Sequence, residues 1–430
     1  MIKDIIEKNA EVKPNSKKLE ALKEYFAGCF TAEGAFDVER FKEMMKDEVN
    51  ISNEGYSLDF LGKDYANLIA SIDTTTVIEP DLEHNGKPEN KDSENIYISG
   101  DNLDALKHLL KSYAGKVKCI YIDPPYNTGS DGFVYNDKFR FTPEELEKKL
   151  SIDEDEAKRI LDLTSRGSST HSAWLMFMSP RLQLARELLS KDGVIFISID
   201  DNEQANLKIL CDQEFGGRNF VTNYVWQSTA GSNTGTDIIT VTEYILVYCK
   251  NRDVVRFDGM ITPEENFPYE DEYVDIRGKY ALDKLDRRRV GGHYTDALNY
   301  AIKMPDGTIR YPGGTENKST EGWNYLWSKT KIQWGIENDF IVFKKTQGKW
   351  NVYNKRYSKI DNTGKPFNRT TPFRNLITSD QCNTAQGTAE ITSVLSIRKF
   401  DFPKPSKLIK HLLLNIVRSH CSSITDSSSF

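Results

Sequence analysis

Between residues 95 and 249, short apolar runs alternate with segments of helical period, and this alternation constrains the fold more than any other feature. Segments 95–99, 117–122, 193–199 and 242–249 read as strands; 103–112, 142–163 (one or two helices), 172–190 and 202–214 read as helices. Parallel strands need long crossovers, and helices supply them. The pattern therefore predicts a mainly parallel sheet with helices on both faces. Residues 1–50 read as helical from the apolar spacing of 19–26 and 36–45. The polar, turn-rich stretch 80–95 reads as a loop. Beyond residue 250, Gly-, Asn- and Pro-rich turns separate short strands at 340–343 and 350–353.

Composition matters where it excludes. A chain of 430 residues is long enough for two or three domains. With 28% charged and 11% aromatic residues it is neither disordered nor collagen-like. No apolar run approaches the roughly 18 residues that cross a bilayer. The start, Met1-Ile2-Lys3-Asp4, is too polar for a signal peptide. The six cysteines stand apart, with no Cys-x-x-Cys spacing and no local His, so neither a metal site nor a disulfide framework is expected. They read as reduced thiols of a cytoplasmic protein, with Cys119 and Cys249 as small core residues of strands.

Charge is unevenly spread. Residues 1–250 carry −14 and residues 251–430 carry +7, giving the net −7. Within 276–410, 25 basic residues face 12 acidic ones, and four of the six tryptophans lie there: Trp323, Trp327, Trp334 and Trp350. Basic residues interleaved with aromatics suit nucleic-acid binding, although a solvated basic face has the same composition.

The sharpest motif is Asp123-Pro124-Pro125-Tyr126, directly after the strand 117–122 and followed by Asn127-Thr128-Gly129-Ser130-Asp131. Ligands of open α/β sheets bind at the carboxyl ends of strands, where this tetrapeptide falls. Its chemistry suits methylation of an exocyclic amine on a base. The Asp123 side chain can accept one N–H and the Pro124 carbonyl the other, orienting a weakly nucleophilic nitrogen. The prolines fix φ and hold the carbonyl in place. Tyr126 offers a face for an extruded base. A proline-rich turn ending a strand is the plainer alternative.

With these residues in view, the sequence resembles the modification subunits of type III restriction–modification systems, which are DNA adenine-N6 methyltransferases of the permuted β class. The shared landmarks, in order, are 98–106, 121–131, 133–139, 171–175, 180–182, 192–203, 243–248, 335–343, 361–366, 383–387 and 400–405, with 30–37 resembling the leader. The resemblance implies a permuted Rossmann-like α/β methyltransferase sheet, with a helical N-terminal region at 1–90 and a catalytic half at 91–260. A basic, mixed α+β target-recognition domain is inserted at 261–395, and 396–430 returns to the methyltransferase. It also implies S-adenosyl-L-methionine as cofactor, double-stranded DNA as substrate, a separate restriction (helicase-nuclease) subunit as partner, a homodimer and a cytoplasmic location. By this analogy Asp123, Pro124, Pro125 and Tyr126 are catalytic, and Asp at 123 favours adenine-N6 over cytosine-N4.

Asp101, Lys404 and Pro405 fall at cofactor-contact positions. Asp101 is equally placed to cap the helix 103–112, and Pro405 to bound a turn before a helix 406–414. Asp201 with Gln204 fits a capping box for 202–214. Lys284, Arg287, Arg288 and Arg289, with His293, are expected to contact phosphates. Members of the family carry a glycine-rich cofactor loop after the Phe-x-x-Pro-Lys-Pro segment, whereas here no glycine follows Gly387. The expectation is a C-terminal truncation with an incomplete sheet and an exposed apolar edge. In that case the chain is either a methyltransferase, a catalytically inactive DNA-binding remnant, or a fragment complemented by a second polypeptide. No phosphate-binding loop of the Gly-x-x-x-x-Gly-Lys-Ser/Thr type is present.

Overall fold

The computed structural model describes residues 2–46, 57–129, 141–165, 170–231, 238–257, 259–289, 293–314, 322–397 and 402–416. Ser130, Asp131, the landmark 133–139, the start of the landmark 400–405 and the serine-rich tail lie outside the described residues. The chain divides into two compact units, one of Met1–Phe257 with Arg374–Phe430, the other of Asp258–Phe373.

The first unit is built on β1 (Val117–Ile122), β2 (Leu189–Ile199), β3 (Phe220–Gln227) and β4 (Thr242–Cys249), with the short strand Leu376–Ile377, in the order β1-β2-β4-β3-Leu376–Ile377. β1 and β2 are parallel, with Tyr121 opposite Phe196 and Ile122 opposite Ile197. β4 runs antiparallel to both β2 and β3. The sheet is therefore mixed, not mainly parallel. Among the described residues between β3 and β4 there is no helix, and a connection without one delivers an antiparallel partner. Among the described residues the sheet has five strands, and β1 stands at one edge with all six of its residues half-exposed.

Both faces of the sheet are covered, and the period-2 alternation of β2 and β4 assigns each side chain to a face. Ile195, Ile197 and Ile199 of β2, with Leu246 and Tyr248 of β4, enter one core. That core also takes residues from α1 (Lys63–Ser71), α2 (Asn102–Tyr113), α3 (Pro143–Leu150), α4 (Glu154–Ser165), α5 (His171–Leu188) and α6 (Gln204–Cys211). Val194 and Phe196, with Ile245, Val247 and Cys249, enter the other core together with Leu408 and Leu412 of α7 (Ser406–Leu413). Thr142 and Glu145 form a capping box that starts α3.

Three local expectations fail. Segment 95–99 forms no strand; Ile96 and Tyr97 are exposed, and a short apolar run without a partner strand has no ladder to join. The helix expected over 202–214 begins only at Gln204, and its N-cap is Glu203 with no side-chain cap. Asp201 and Gln204 form no capping box, because the Asp200 carboxylate takes the Asn202 amide at 2.9 Å and makes a tight turn before the helix. Strand β3 was not anticipated. Among the described residues, no helix is long and apolar enough to cross a membrane.

In the second unit, β5 (Tyr280–Lys284), β6 (Ile341–Thr346) and β7 (Lys349–Tyr357) form an antiparallel sheet in the order β6-β7-β5. Gln347 and Gly348 join β6 to β7 with positive φ at both positions, the backbone of a type I′ hairpin turn. Tyr325, Phe340, Val352 and Tyr357 centre its core. Lys355, almost fully buried, is held by Asp271 at 2.7 Å and by Asp339.

Candidate active site at the end of strand β1

Asp123 follows the last residue of β1, and Pro124 and Pro125 carry the chain away from the sheet. A buried tryptophan fixes this turn from below. The indole Nε1 of Trp174, on α5, donates to the Pro125 carbonyl at 2.7 Å. A second anchor lies two residues on, where Asn127 sits at φ 59° and its Nδ2 donates to Glu203 Oε1 at 2.6 Å. Asparagine tolerates this left-handed conformation better than most residues. The loop thus leaves the sheet, turns on two prolines and is pinned on both sides of Tyr126.

Above the loop, four polar groups converge. The Tyr126 hydroxyl lies 3.0 Å from Asp123 Oδ1 and 3.0 Å from Glu243 Oε2, and its single proton serves one of them at a time. The Lys404 ammonium donates to Glu243 Oε2 at 2.8 Å and to the Tyr126 oxygen at 2.7 Å, and stands 3.5 Å from Asp123 Oδ1. The same ammonium lies 4.9 Å from the Tyr126 ring centroid and 5.6 Å from that of Trp226. A cation held between two aromatic faces gains from both ring quadrupoles.

Burial raises the Asp123 carboxyl above the usual carboxylate range. The Lys404 charge and the Tyr126 hydroxyl work against that rise, and the Glu243 charge adds to it. Burial, followed by the neighbouring Asp123 and Glu243 charges, pushes the Tyr126 phenol far above its ordinary value, so it stays protonated and remains a donor. Asp200, at the end of the neighbouring strand, is likewise raised by burial, with Asn202 contacts opposing it.

Lys404 reaches this place because two backbones approach closely. A Cβ added to Gly387, on the helix Thr384–Leu395, would lie 2.3 Å from the Pro403 carbonyl oxygen, 3.0 Å from Pro405 N and 3.1 Å from the Lys404 carbonyl carbon. Only a glycine leaves room for the Pro-Lys-Pro segment there. Pro405 itself is the N-cap of α7. Asp101 caps α2, its Oδ1 accepting from the Leu103 amide at 2.9 Å and the Asp104 amide at 3.1 Å.

The structure therefore brings together Asp123, Pro125, Tyr126 and Lys404, and puts Asp101 at a helix start. Sequence reasoning gave no role to Glu243, Trp174, Glu203 or Gly387, although each lies in or beside a quoted landmark. The signal for the first three is a long-range contact that no local pattern carries.

In the second unit, Arg287 and Arg288 are exposed on the strand Asp286–Arg288, which pairs with Trp323–Tyr325. Lys284 lies 3.3 Å from the buried Asp286 carboxylate and 5.7 Å from the Trp323 ring centroid, so part of its charge serves the fold. Over 258–373 the chain carries 19 basic and 16 acidic residues, a net +3. The excess of +13 over 276–410 thus includes lysines and arginines of the first unit as well as the second.

Residues 117–420 match the family model described as DNA methylase. The chain is 40% identical over 421 residues to the Mod subunit of the type III restriction-modification enzyme EcoPI from Escherichia phage P1, covering 93% of this chain and 63% of that subunit. It is 37% identical over 442 residues to the StyLTI Mod subunit of Salmonella typhimurium, covering 96% of this chain and 62% of that one. It is 31% identical over 343 residues to the type II methyltransferase M.KpnI of Klebsiella pneumoniae, covering 76% and 72% respectively. The chain spans about six-tenths of the length of these two type III subunits.

Proposed function

Since this chain belongs to the DNA methylase family, we propose that it methylates adenine N6 in double-stranded DNA as the modification subunit of a type III system. The observation that carries the reading is the site at the end of β1. There a carboxylate in a proline-fixed loop lies beside a tyrosine and a lysine.

In this reading the ionised Asp123 accepts one N–H of the target amine, and the Pro124 carbonyl accepts the second. Both then hold the nitrogen lone pair toward the incoming methyl carbon. Tyr126 stacks the extruded base and keeps its proton, so its hydroxyl cannot compete as an anion. Because the Asp123 pKa is raised, the carboxylate is also the better proton acceptor as the amine becomes positively charged.

The residues present suit S-adenosyl-L-methionine. Lys404 is a cation near the reacting end, fit for the methionine carboxylate; Asp101 offers a carboxylate at the start of α2, and Pro405 shapes the segment that carries Lys404. When bound, the cofactor supplies the electrophilic methyl group. The unit Asp258–Phe373 is the target-recognition domain in this proposal, with Lys284, Arg287, Arg288 and Arg289 on phosphates. The partners proposed are a separate restriction subunit and a second copy of this chain, in the cytoplasm.

The test is transfer of labelled methyl groups to DNA, with N6-methyladenine identified in the hydrolysed product. Wild-type chain is expected to give incorporation, and Asp123→Ala to lose it while DNA affinity persists. Incorporation that survives Asp123→Ala would refute the role of Asp123. DNA binding by wild-type chain without incorporation would reduce the function to recognition alone.

A further inference from the structure

Glu203 has no exposed surface, yet it is a carboxylate with three side-chain partners from three parts of the chain. Asn127 Nδ2, from the loop after Tyr126, donates to Oε1 at 2.6 Å. His171 Nδ1, at the first residue of α5, lies 2.7 Å from the same oxygen. Asn206 Nδ2, on α6, donates to Oε2 at 2.9 Å. Glu203 is also the N-cap residue of α6, but its side chain caps nothing. A carboxylate at an N-cap ordinarily accepts from a backbone amide of its own helix; here it accepts from the side chains of Asn206, His171 and the loop residue Asn127 instead.

A buried charge is retained only when its oxygens are well paired, and hydrogen bonds to a charged acceptor are short and directional. The 2.6 Å bond to Asn127 has this character. It fixes a residue one position beyond Tyr126 in a left-handed conformation, and so sets the exit of the loop 123–127. Trp174 fixes the Pro125 carbonyl from the other side. Tyr126, between the two anchors, then has little freedom to leave Asp123.

We propose that Glu203 is a positioning residue for the methyl-transfer loop, acting through Asn127 to hold Asp123 and Tyr126 in acceptor geometry. This rests on the reading of that loop given above. A hydrogen-bonded side chain that served the fold alone would affect overall stability without controlling this one segment.

The experiment pairs amide hydrogen exchange on the full chain with steady-state kinetics. Glu203→Ala is expected to speed exchange over 121–129 about tenfold, with the peptides of β2 and β4 unchanged, as for a local opening. Its kcat for methyl transfer should fall about tenfold or more while KM for cofactor and DNA stays within about threefold, the pattern of lost transition-state alignment. Glu203→Gln, which still accepts from Asn127, should recover most of the loop protection and of kcat. Asn127→Gly removes the same bond while tolerating the positive φ, and should reproduce the faster loop exchange even if Glu203→Ala fails to fold. Unchanged exchange over 121–129 in the folded variants overturns the proposal. Exchange that changes as expected in a chain whose wild type transfers no methyl group supports the clamp and instead refutes the enzymatic reading of the loop.

Discussion

Lys404→Met keeps most of the length and the apolar stem of the side chain and deletes its charge. In the wild-type site the ammonium stands 3.5 Å from Asp123 Oδ1 and 2.8 Å from Glu243 Oε2. At 3.5 Å a unit charge pair is worth about 1 kcal/mol in a water-like medium and about 5 kcal/mol at an effective dielectric of 20. The Asp123 side chain is 38% exposed, so solvent screening favours the lower end. A loss of ~1–2 kcal/mol corresponds to about one pKa unit.

The sign follows from the site. Burial already holds Asp123 above the usual range, and Lys404 pulls it down, so losing Lys404 sends it further up. Glu243, deprived of its counter-ion, pushes in the same direction. Only the ionised carboxylate can accept an N–H without donating, so the acid limb of methyl transfer should move to higher pH by the same amount. The carboxyl carbons of labelled aspartates report the shift directly, with the Asp123 resonance identified by its absence in Asp123→Asn. Adding Glu243→Gln to Lys404→Met should bring the midpoint back down. An unchanged Asp123 midpoint in Lys404→Met would refute the claim that this cation sets the state of the carboxylate.

Asp123→Asn should raise the unfolding midpoint at pH 7 by about 1–3 °C. A carboxyl whose folded pKa lies above its unfolded one loses its contribution as pH rises through the folded value, so the gain should vanish in calorimetry run below the unfolded carboxylate pKa. Gly387→Ala, which drives a methyl group against the Pro403 carbonyl, should cost about 1–3 kcal/mol in urea unfolding and displace Lys404 from Tyr126. Arg287→Ala with Arg288→Ala should weaken DNA binding similarly on all sequences, and should flatten the plot of log affinity against log salt by about one unit per lost phosphate contact.

The loop after β1 was legible because its signals are local. β1, β2 and β4 are dense apolar runs, and a proline pair straight after such a run can only leave the sheet. β3 was harder. Phe-Val-Thr-Asn-Tyr-Val-Trp-Gln mixes polar and apolar residues, and only Tyr224 and Trp226 are fully buried. Its pattern of alternation is that of a strand with one face inward, but short. At 95–99 a short apolar run is present and the strand is not, because pairing depends on a neighbour that the segment cannot specify. The helix after β2 shows the converse. The residues for a capping box stand at Asp201 and Gln204, but Asp200 makes a turn first and shifts the helix start to where Glu203 becomes its N-cap.

The site itself is assembled by distance along the chain. Lys404 meets Tyr126 across 278 positions and Glu243 across 161. Asn127 meets Glu203 across 76. None of these pairs has a periodicity that a sequence can display. They exist because β4 brings Glu243, the start of α6 brings Glu203, and the segment before α7, packed against Gly387, brings Lys404 to the end of β1. Gly387 makes the dependence plain. Its own segment gives no hint that it faces the Pro-Lys-Pro backbone, yet a single added methyl group there would move the cation that governs Asp123. The Lys404 charge that opposes the effect of burial on Asp123 is thus placed by packing between two segments that contain no acceptor. Substitutions far from 123–126 in sequence can therefore act on its chemistry as strongly as substitutions within it.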